Sequence, residues 1–417
     1  MTKRYNRLAL AVFAAAVPCG QAVAAQTYGL DELRASARAV HPTLASARAE
    51  VEAAGAALKQ QRIFDDPVAS FDTGWADGAI ESGTEWRVEF FQSIPLPGHR
   101  RERIRFAEAA VDRAQYDQLV LEALLDYEVG RLWAEAVLAK RSAEVAAQNE
   151  EIARRLLEIL KHRVEAGEAA PLEAVKARTE WFARRRLARE LDQKLSATRA
   201  ALDIICNRSL GRDFVLAGFL DSPRTLPPVE TLLARLEGSN PELQAARATG
   251  AEAEAVLAAE RKAMFPDLVL SVGRESELDK EATGGGIAFR LPIWNRNRGQ
   301  VAAADARLYG VRAEIDARRL DLGLELEEAV LAYRMAAEDL GLYDGGWRDS
   351  AARAVEIAEF SYENGESSLL DLLDAQRSLL KVGLNEIEAR ARLTVARLHL
   401  ERLLGLSLEE VESDESN

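Results

Sequence analysis

Two kinds of hydrophobic spacing alternate along the chain. Over long stretches apolar or small residues recur three and four positions apart: Leu125, Val129, Leu132, Ala136 and Ala139 form one such seam, and Leu369, Leu373, Gln376, Leu380, Gly383 and Ile387 another. That spacing predicts helices packed along their length on other helices. A further seam through Leu372, Ala375, Leu379 and Val382 runs beside the last, so that helix has neighbours on two sides. Between the long stretches lie short segments of period two. Ala69, Phe71, Thr73 and Trp75 alternate with Ser70, Asp72 and Gly74, and Trp86, Val88 and Phe90 with Arg87, Glu89 and Phe91. Farther on, Leu268, Leu270 and Val272 alternate with Val269, Ser271 and Gly273, and Ile287, Phe289 and Leu291 with Ala288 and Arg290. Each pair of segments predicts a β-hairpin with one apolar face. The polar, Gly-rich stretches 76–85 and 276–286 join the strands, and Gly284–Gly286, which precedes a strand and lacks a phosphate-loop lysine, reads as a hairpin turn.

The chain is written twice. His41-Pro42 returns as Asn240-Pro241, the segment from Ser93 as that from Arg290, and the turn around Gly167 as that around Gly365, all at nearly one period. No proline interrupts Gly98 to Ala170, nor Ile293 to the end. Helix over residues 100–166 would run roughly 100 Å at about 1.5 Å per residue, which is a rod rather than a globular-core helix. Gly167 with Pro171, and Gly365 in the matching place, predict chain reversals between antiparallel helices, and Gly345-Gly346 predicts a kink in the second rod.

Composition bounds the picture. Only 6% of the 417 residues are aromatic against 48% hydrophobic, which suits Ala-rich packed helices more than large globular cores. Residues 1–25 carry Lys3, Arg4 and Arg7 before a short apolar run and small residues, the pattern of a secretory signal peptide. The formal charge of −14 becomes about −17 without that segment, which argues against a nucleic-acid partner. Cys19 belongs to the same segment and a lipidated Cys19 is the minority reading; Cys206 then stands alone, so no intrachain disulfide is expected. The four histidines, His41, His99, His162 and His399, form no ligand spacing, and neither a catalytic motif, a metal site nor a cofactor site is predicted. The expected organisation is 1–25 signal peptide, 26–206 first structural repeat (helix, β-hairpin, long helix, turn, helix), 207–228 connector packed on the waist of the rods, 229–405 second repeat, and 406–417 acidic tail.

Four strands cannot close a barrel, and an open sheet leaves unpaired edges that hydrocarbon cannot satisfy. Two solutions follow: a soluble α+β protein whose hairpins pack on its helices, or a membrane protein in which three copies pool twelve strands.

The repeated P-x-x-x-(R/N)-x-R junction, the segment LPIWNRNRG from Leu291, and YENGESSLLDLLDAQRSL from Tyr362 resemble the TolC-like outer membrane efflux proteins over essentially the whole mature chain. Within that family the wording is most like the outer membrane components of heavy-metal tripartite efflux systems. The resemblance implies a mainly α fold with a small β part. Long antiparallel helical hairpins would form a trimeric α-barrel in the periplasm, and four strands per chain would contribute to a twelve-stranded transmembrane β-barrel. It implies a homotrimer, a periplasmic membrane-fusion adaptor, an inner-membrane RND pump and outer membrane lipid as partners. It also implies a passive exit duct, with heavy-metal cations as the expected cargo and drug efflux or type I protein secretion as the alternatives. A soluble periplasmic coiled-coil scaffold is the reading from another class.

In the resembled family the closed tip is held through a tyrosine and aspartates matched here by Tyr362, Asp371 and Asp374, together with an arginine whose position is Ser367. The corresponding first-repeat residues are Glu173 and Lys176, and Lys176 is the expected substitute partner of Asp374. Asp371 and Asp374 lie one turn apart, so three copies would gather their carboxylates at one aperture. Gly167, Gly365 and Ser367 mark the tips on which adaptor hairpins would dock. Pro95, Arg100, Arg101, Pro292, Arg296 and Arg298 mark the two strand-to-rod junctions, where cations would face lipid phosphates or simply pair with nearby glutamates.

Overall fold

The computed structural model describes residues 26–77, 82–96, 98–211, 214–220, 222–265, 267–277 and 280–409; the signal segment with Cys19 and the end of the acidic tail lie outside these. In chain order the elements are β1 (Thr27–Tyr28), α1 (Leu30–Val40), α2 (Pro42–Gln61), β2 (Val68–Asp77), β3 (Ser82–Ile94), α3 (His99–Glu165), α4 (Pro171–Ile205) and β4 (Val215–Leu216). They continue as α5 (Val229–Ser239), α6 (Pro241–Lys262), β5 (Leu268–Glu277), β6 (Lys280–Phe289), α7 (Arg298–Leu342), α8 (Arg348–Glu363) and α9 (Leu369–Leu404). The order short helix pair, hairpin, long helix, turn, long helix thus occurs twice. His41 and Asn240 divide the short pairs at the same place, because each is followed by a proline that cannot donate the next helical hydrogen bond.

α3 alone holds 67 residues, about 100 Å. The seam predicted along it is buried at Leu125, Val129, Ala136 and Ala139, and that along α9 at Leu369, Leu373 and Leu380. The kink lies where Gly345-Gly346 places it: Tyr343–Trp347 form a π-helical turn between α7 and α8, with Gly346 at φ 99°. Tyr343 and Trp347 stack across the turn at 5.0 Å between ring centroids. This widened turn shifts the phase of the rod below it, a change that Gly at positive φ accommodates without strain.

Midway along the rods two apolar clusters make a waist. One gathers Leu33, Leu44, Val129, Trp133 and Leu202 with Leu210, Phe214 and Leu216 of the connector. There β1 and β4 pair in parallel, an element the period-two pattern is too short to reveal. The other gathers Leu232, Leu236, Leu322, Tyr333, Leu393 and Leu403. Cys206 is buried in the first cluster, and burial, reinforced by Asp203, pushes its thiol up to about 11, so it is an inert packing group.

α9 ends on Gly405 at φ 67°, where an added Cβ would lie 2.4 Å from the Ser239 carbonyl oxygen. Gly405→Ala therefore combines left-handed strain with a backbone collision. It is expected to destabilise the waist by about 2–4 kcal/mol, read as a lowered unfolding midpoint of the purified protein.

Candidate functional site

The strands form one sheet in the order β2-β3-β5-β6, all antiparallel. Residues directly opposite one another share a face, so register sorts the two faces. One carries the rows Ile94-Leu268-Phe289, Gln92-Leu270-Ile287, Ala69-Phe90-Val272-Gly285 and Phe71-Val88-Arg274-Thr283. Farther from the rods follow Thr73-Trp86-Ser276-Glu281 and Trp75 opposite Thr84. The other face carries Ser70-Glu89-Gly273-Gly284 and Asp72-Arg87-Glu275-Ala282. The first is apolar in its rows nearest the rods and bordered by tryptophans farther out; its charges there are Arg274 and Glu281, which are matched with each other, and Asp77, which accepts from Trp75 Nε1 at 3.1 Å. The second is polar, with Arg87 bridging to Glu275 at 2.8 Å.

Nothing among the described residues covers the apolar face. Phe71 is 67% exposed, Trp75 69%, Val272 56% and Ile287 69%. Soluble proteins rarely leave so large a contiguous apolar surface open. No helix among the described residues is long and apolar enough to cross a membrane.

One expectation is corrected. Gly284–Gly286 are not a hairpin turn but lie within β6, opposite Gly273, Val272 and Ser271. The reason is packing: a Cβ at position 286 would meet the Ser271 hydroxyl at 2.7 Å, and one at 273 the Glu89 side chain at 2.7 Å. Glycine here lets polar side chains lie flat on the strand face.

At the other end of the rods, both reversals are built alike. Gly167 (φ 79°) donates to the Val164 carbonyl at 3.1 Å and Glu168 to that of Arg163 at 2.8 Å. Gly365 (φ 74°) donates to Tyr362 at 3.1 Å and Glu366 to Ser361 at 2.8 Å. These paired bonds satisfy the last helical carbonyls, and glycine takes the left-handed position at no steric cost. Both glycines are exposed, and the enclosed Ser367 hydroxyl finds no hydrogen-bond partner among the described residues.

The tip residues divide into three groups. Tyr362 and Glu173 meet: the phenol donates to Glu173 Oε2 at 2.7 Å, and the Arg163 guanidinium lies 5.9 Å from the tyrosine ring centroid. Burial first, and then the adjacent carboxylate, push the phenol up to about 12. Asp371 has a local partner. Its carboxylate accepts from the Ser368 hydroxyl at 2.7 Å and the Ser368 amide at 3.0 Å, closing a capping box at the start of α9. Those bonds hold it below the usual carboxylate range. Asp374 and Lys176 are both exposed, and neither makes a hydrogen bond or ion pair among the described residues.

Sequence reasoning missed a buried ionic triad beside the tip. Glu180 on α4, 5% exposed, accepts from Arg184 Nε at 2.6 Å and from Arg377 on α9 through Nε at 2.9 Å and Nη2 at 2.5 Å. Burial would raise the Glu180 pKa, but the bonds from Arg377 and Arg184 outweigh it and the carboxyl lies below its ordinary value. Arg184 is 6% exposed, so α4 and α9 are pinned by a carboxylate shared between two guanidiniums. A signal existed: Glu180 and Arg377 sit at nearly matching positions of the two repeats, and matching positions face one another at the tip. Below the triad, Leu157, Leu160, Ala177, Leu369 and Leu373 form a small apolar cluster with Trp181 and Tyr362 at its edge.

At the sheet end, Pro95 is buried, Pro292 and Arg100 are half-buried, and Arg101, Arg296 and Arg298 are exposed. Arg100 stacks on Phe64, 4.6 Å from the ring centroid, and donates to the Arg62 carbonyl at 2.5 Å.

An uncovered four-stranded sheet lies at one end of rods about 100 Å long and a pinned tip at the other, the build of a channel protein of the outer membrane. The chain belongs to the outer membrane efflux protein family, which it matches over residues 33–208 and again over 232–406. It is 26% identical over 364 residues to the cobalt-zinc-cadmium resistance protein CzcC of Cupriavidus metallidurans, covering 87% of this chain and 86% of that protein. It is 24% identical to the pyoverdine export outer membrane protein OpmQ of Pseudomonas aeruginosa, covering 84% of this chain and 74% of that one. Its fold is that of the solved channel CusC, with a TM-score of 0.76 at 18% identity over 91% of this chain and 92% of that one. VceC of Vibrio cholerae gives 0.72 at 18% identity, covering 91% and 96%. The protein is an outer membrane efflux channel, resident in the outer membrane and extending into the periplasm.

Proposed function

We propose that three copies close into a twelve-stranded barrel continued by a helical tunnel, and that this duct exports divalent heavy-metal cations. The cations would be handed over by an inner-membrane RND pump through a periplasmic membrane-fusion adaptor. The observation that carries the assembly is the open sheet: β2 and β6 are edges with unpaired backbone groups, which a bilayer tolerates only if neighbouring copies pair them. The cargo reading rests on the likeness to CzcC, joined by the nickel-cobalt-cadmium resistance protein NccC, 26% identical over 70% of this chain. The likeness to OpmQ favours an organic cargo as the second reading.

The tip would be the periplasmic gate. Tyr362 with Glu173, and Arg377 with Glu180, hold the second-repeat rods to α4 within one chain. Asp374 and Lys176 are free to pair between copies, and Asp371, fixed by Ser368, would add its charge to the aperture. Exposed Gly167 and Gly365, with Ser367, would form the surface that an adaptor hairpin meets.

Deleting the gene is expected to sensitise cells to zinc, cobalt, cadmium or nickel while leaving tolerance to hydrophobic drugs unchanged, as read by growth inhibition. Sensitivity to drugs alone would overturn the metal assignment.

A further inference from the structure

The two strand-to-rod junctions are repeats in sequence but not in the state of their cations. At the first, Arg100 is occupied by Phe64 and the Arg62 carbonyl, Arg62 reaches Glu108 at 2.9 Å, and His99 faces Asp267 at 3.0 Å, which leaves Arg101 as an exposed arginine without an ion pair among the described residues. At the second, Arg296 and Arg298 are exposed and neither forms an ion pair among the described residues. Between them Asn297 takes a left-handed conformation at φ 56°, and its amide donates to the Glu260 carboxylate at 2.7 Å and the Glu260 carbonyl at 2.9 Å. The loop is therefore fastened to α6 through Asn297, while the Arg296 and Arg298 side chains stand exposed.

The same loop holds Trp294 93% exposed, beside exposed Leu291 and Ile293. An indole held open to water on a fastened loop is unfavourable; at the edge of a bilayer the ring sits in the headgroup layer and is stabilised. These residues continue directly from Ile287 and Phe289 of the apolar sheet face, so they lie where hydrocarbon gives way to phosphate on the rod side. Unpaired guanidiniums at that depth recognise phosphodiesters through bidentate hydrogen bonds.

We propose that the second junction is a binding site for anionic phospholipid headgroups of the inner leaflet. Trp294 is its interfacial anchor, and Arg296 and Arg298 are its phosphate ligands. This rests on the reading of the sheet as the bilayer-spanning element. Arg290, one residue past the end of β6, lies outside the loop that Asn297 fastens and serves as an internal control.

The test uses the full-length protein purified in detergent and supplied with equal amounts of phosphatidylglycerol and phosphatidylethanolamine, with retained lipid counted by native mass spectrometry. Each arginine at the surface contributes about fivefold, so with two of them the wild type is expected to retain the anionic lipid about twenty-five-fold over the zwitterionic one. R296Q/R298Q should bring the ratio near unity, Trp294→Ala should lower retention of both lipids, and Arg290→Gln and Arg100→Gln should keep the wild-type ratio. No anionic preference in the wild type, or a ratio unchanged in R296Q/R298Q, would overturn the proposal. Conductance of the same preparations in planar bilayers separates the two ideas: a protein that conducts but shows no lipid preference fails only here, and one that does not conduct fails as a duct.

Discussion

Val272→Arg is expected to remove the protein from the outer membrane, although in the isolated chain the site is 56% exposed. At an exposed position of a soluble protein such a change would lie within about 0.5 kcal/mol. Val272, however, sits in the row with Phe90 and Gly285, near the middle of the apolar face. A guanidinium on the lipid side of a barrel strand costs about 2–4 kcal/mol at the bilayer midplane, and three copies would incur it together. The measurement is the share of protein recovered in outer membrane fractions. Ser70→Arg is the control, since Ser70 lies on the polar face opposite Glu89, where a cation gains a partner. Equal recovery of the two variants would sink the assignment of the faces.

The second large effect is expected at Glu180. Glu180→Ala strands Arg184, 6% exposed, as a buried charge without its carboxylate, and removing one member of a buried pair typically costs about 3–5 kcal/mol. The same change unties Arg377 on α9 from α4, so basal conductance in planar bilayers should rise several-fold. An all-apolar replacement, E180L/R184M/R377L, separates the two roles: stability should largely return because no charge is left buried, while the leak should persist because the pin is gone. If the triple variant were as tight as wild type, the triad would be merely structural.

The pH dependence follows from sign. The Glu180 carboxyl is depressed below its ordinary value of 4.5, so its stabilisation is complete above that value and lost only as pH falls through the lower, folded one. Wild-type basal conductance should therefore be unchanged between about pH 7.5 and 5.5.

Much of this was legible in the residues because the constraints are local and repeated. A proline-free run with a 3-4 seam has little alternative to a long helix, and α3 begins and ends within a residue of the expected bounds. Gly345-Gly346 announced the kink because two glycines in a helix interior have no propensity reason to be there. The glycines of β6 misled for the opposite reason: Gly286 lies against the Ser271 hydroxyl across the sheet, a contact that no local pattern encodes. The tip was legible by residue type but not by pairing. Asp371 reads as a pore charge, yet it is first of all a helix cap for Ser368, a role hidden because Asp replaces the usual Glu or Gln at the third position. Glu180 and Arg377 were invisible as partners until the two repeats were laid side by side in space.

The pairing of β3 with β5 has a kinetic corollary. Trp86 faces Ser276 and Ile94 faces Leu268, so the central seam of the sheet joins segments far apart in the chain. Closing so long a loop is entropically slow, whereas each hairpin and rod forms from neighbours in sequence. During synthesis and export the halves can fold locally, but the surface able to enter a bilayer exists only after the second repeat has arrived. A chain truncated between the repeats would carry one hairpin, too little to insert, so sequence order itself guards against half-made proteins lodging in the wrong membrane.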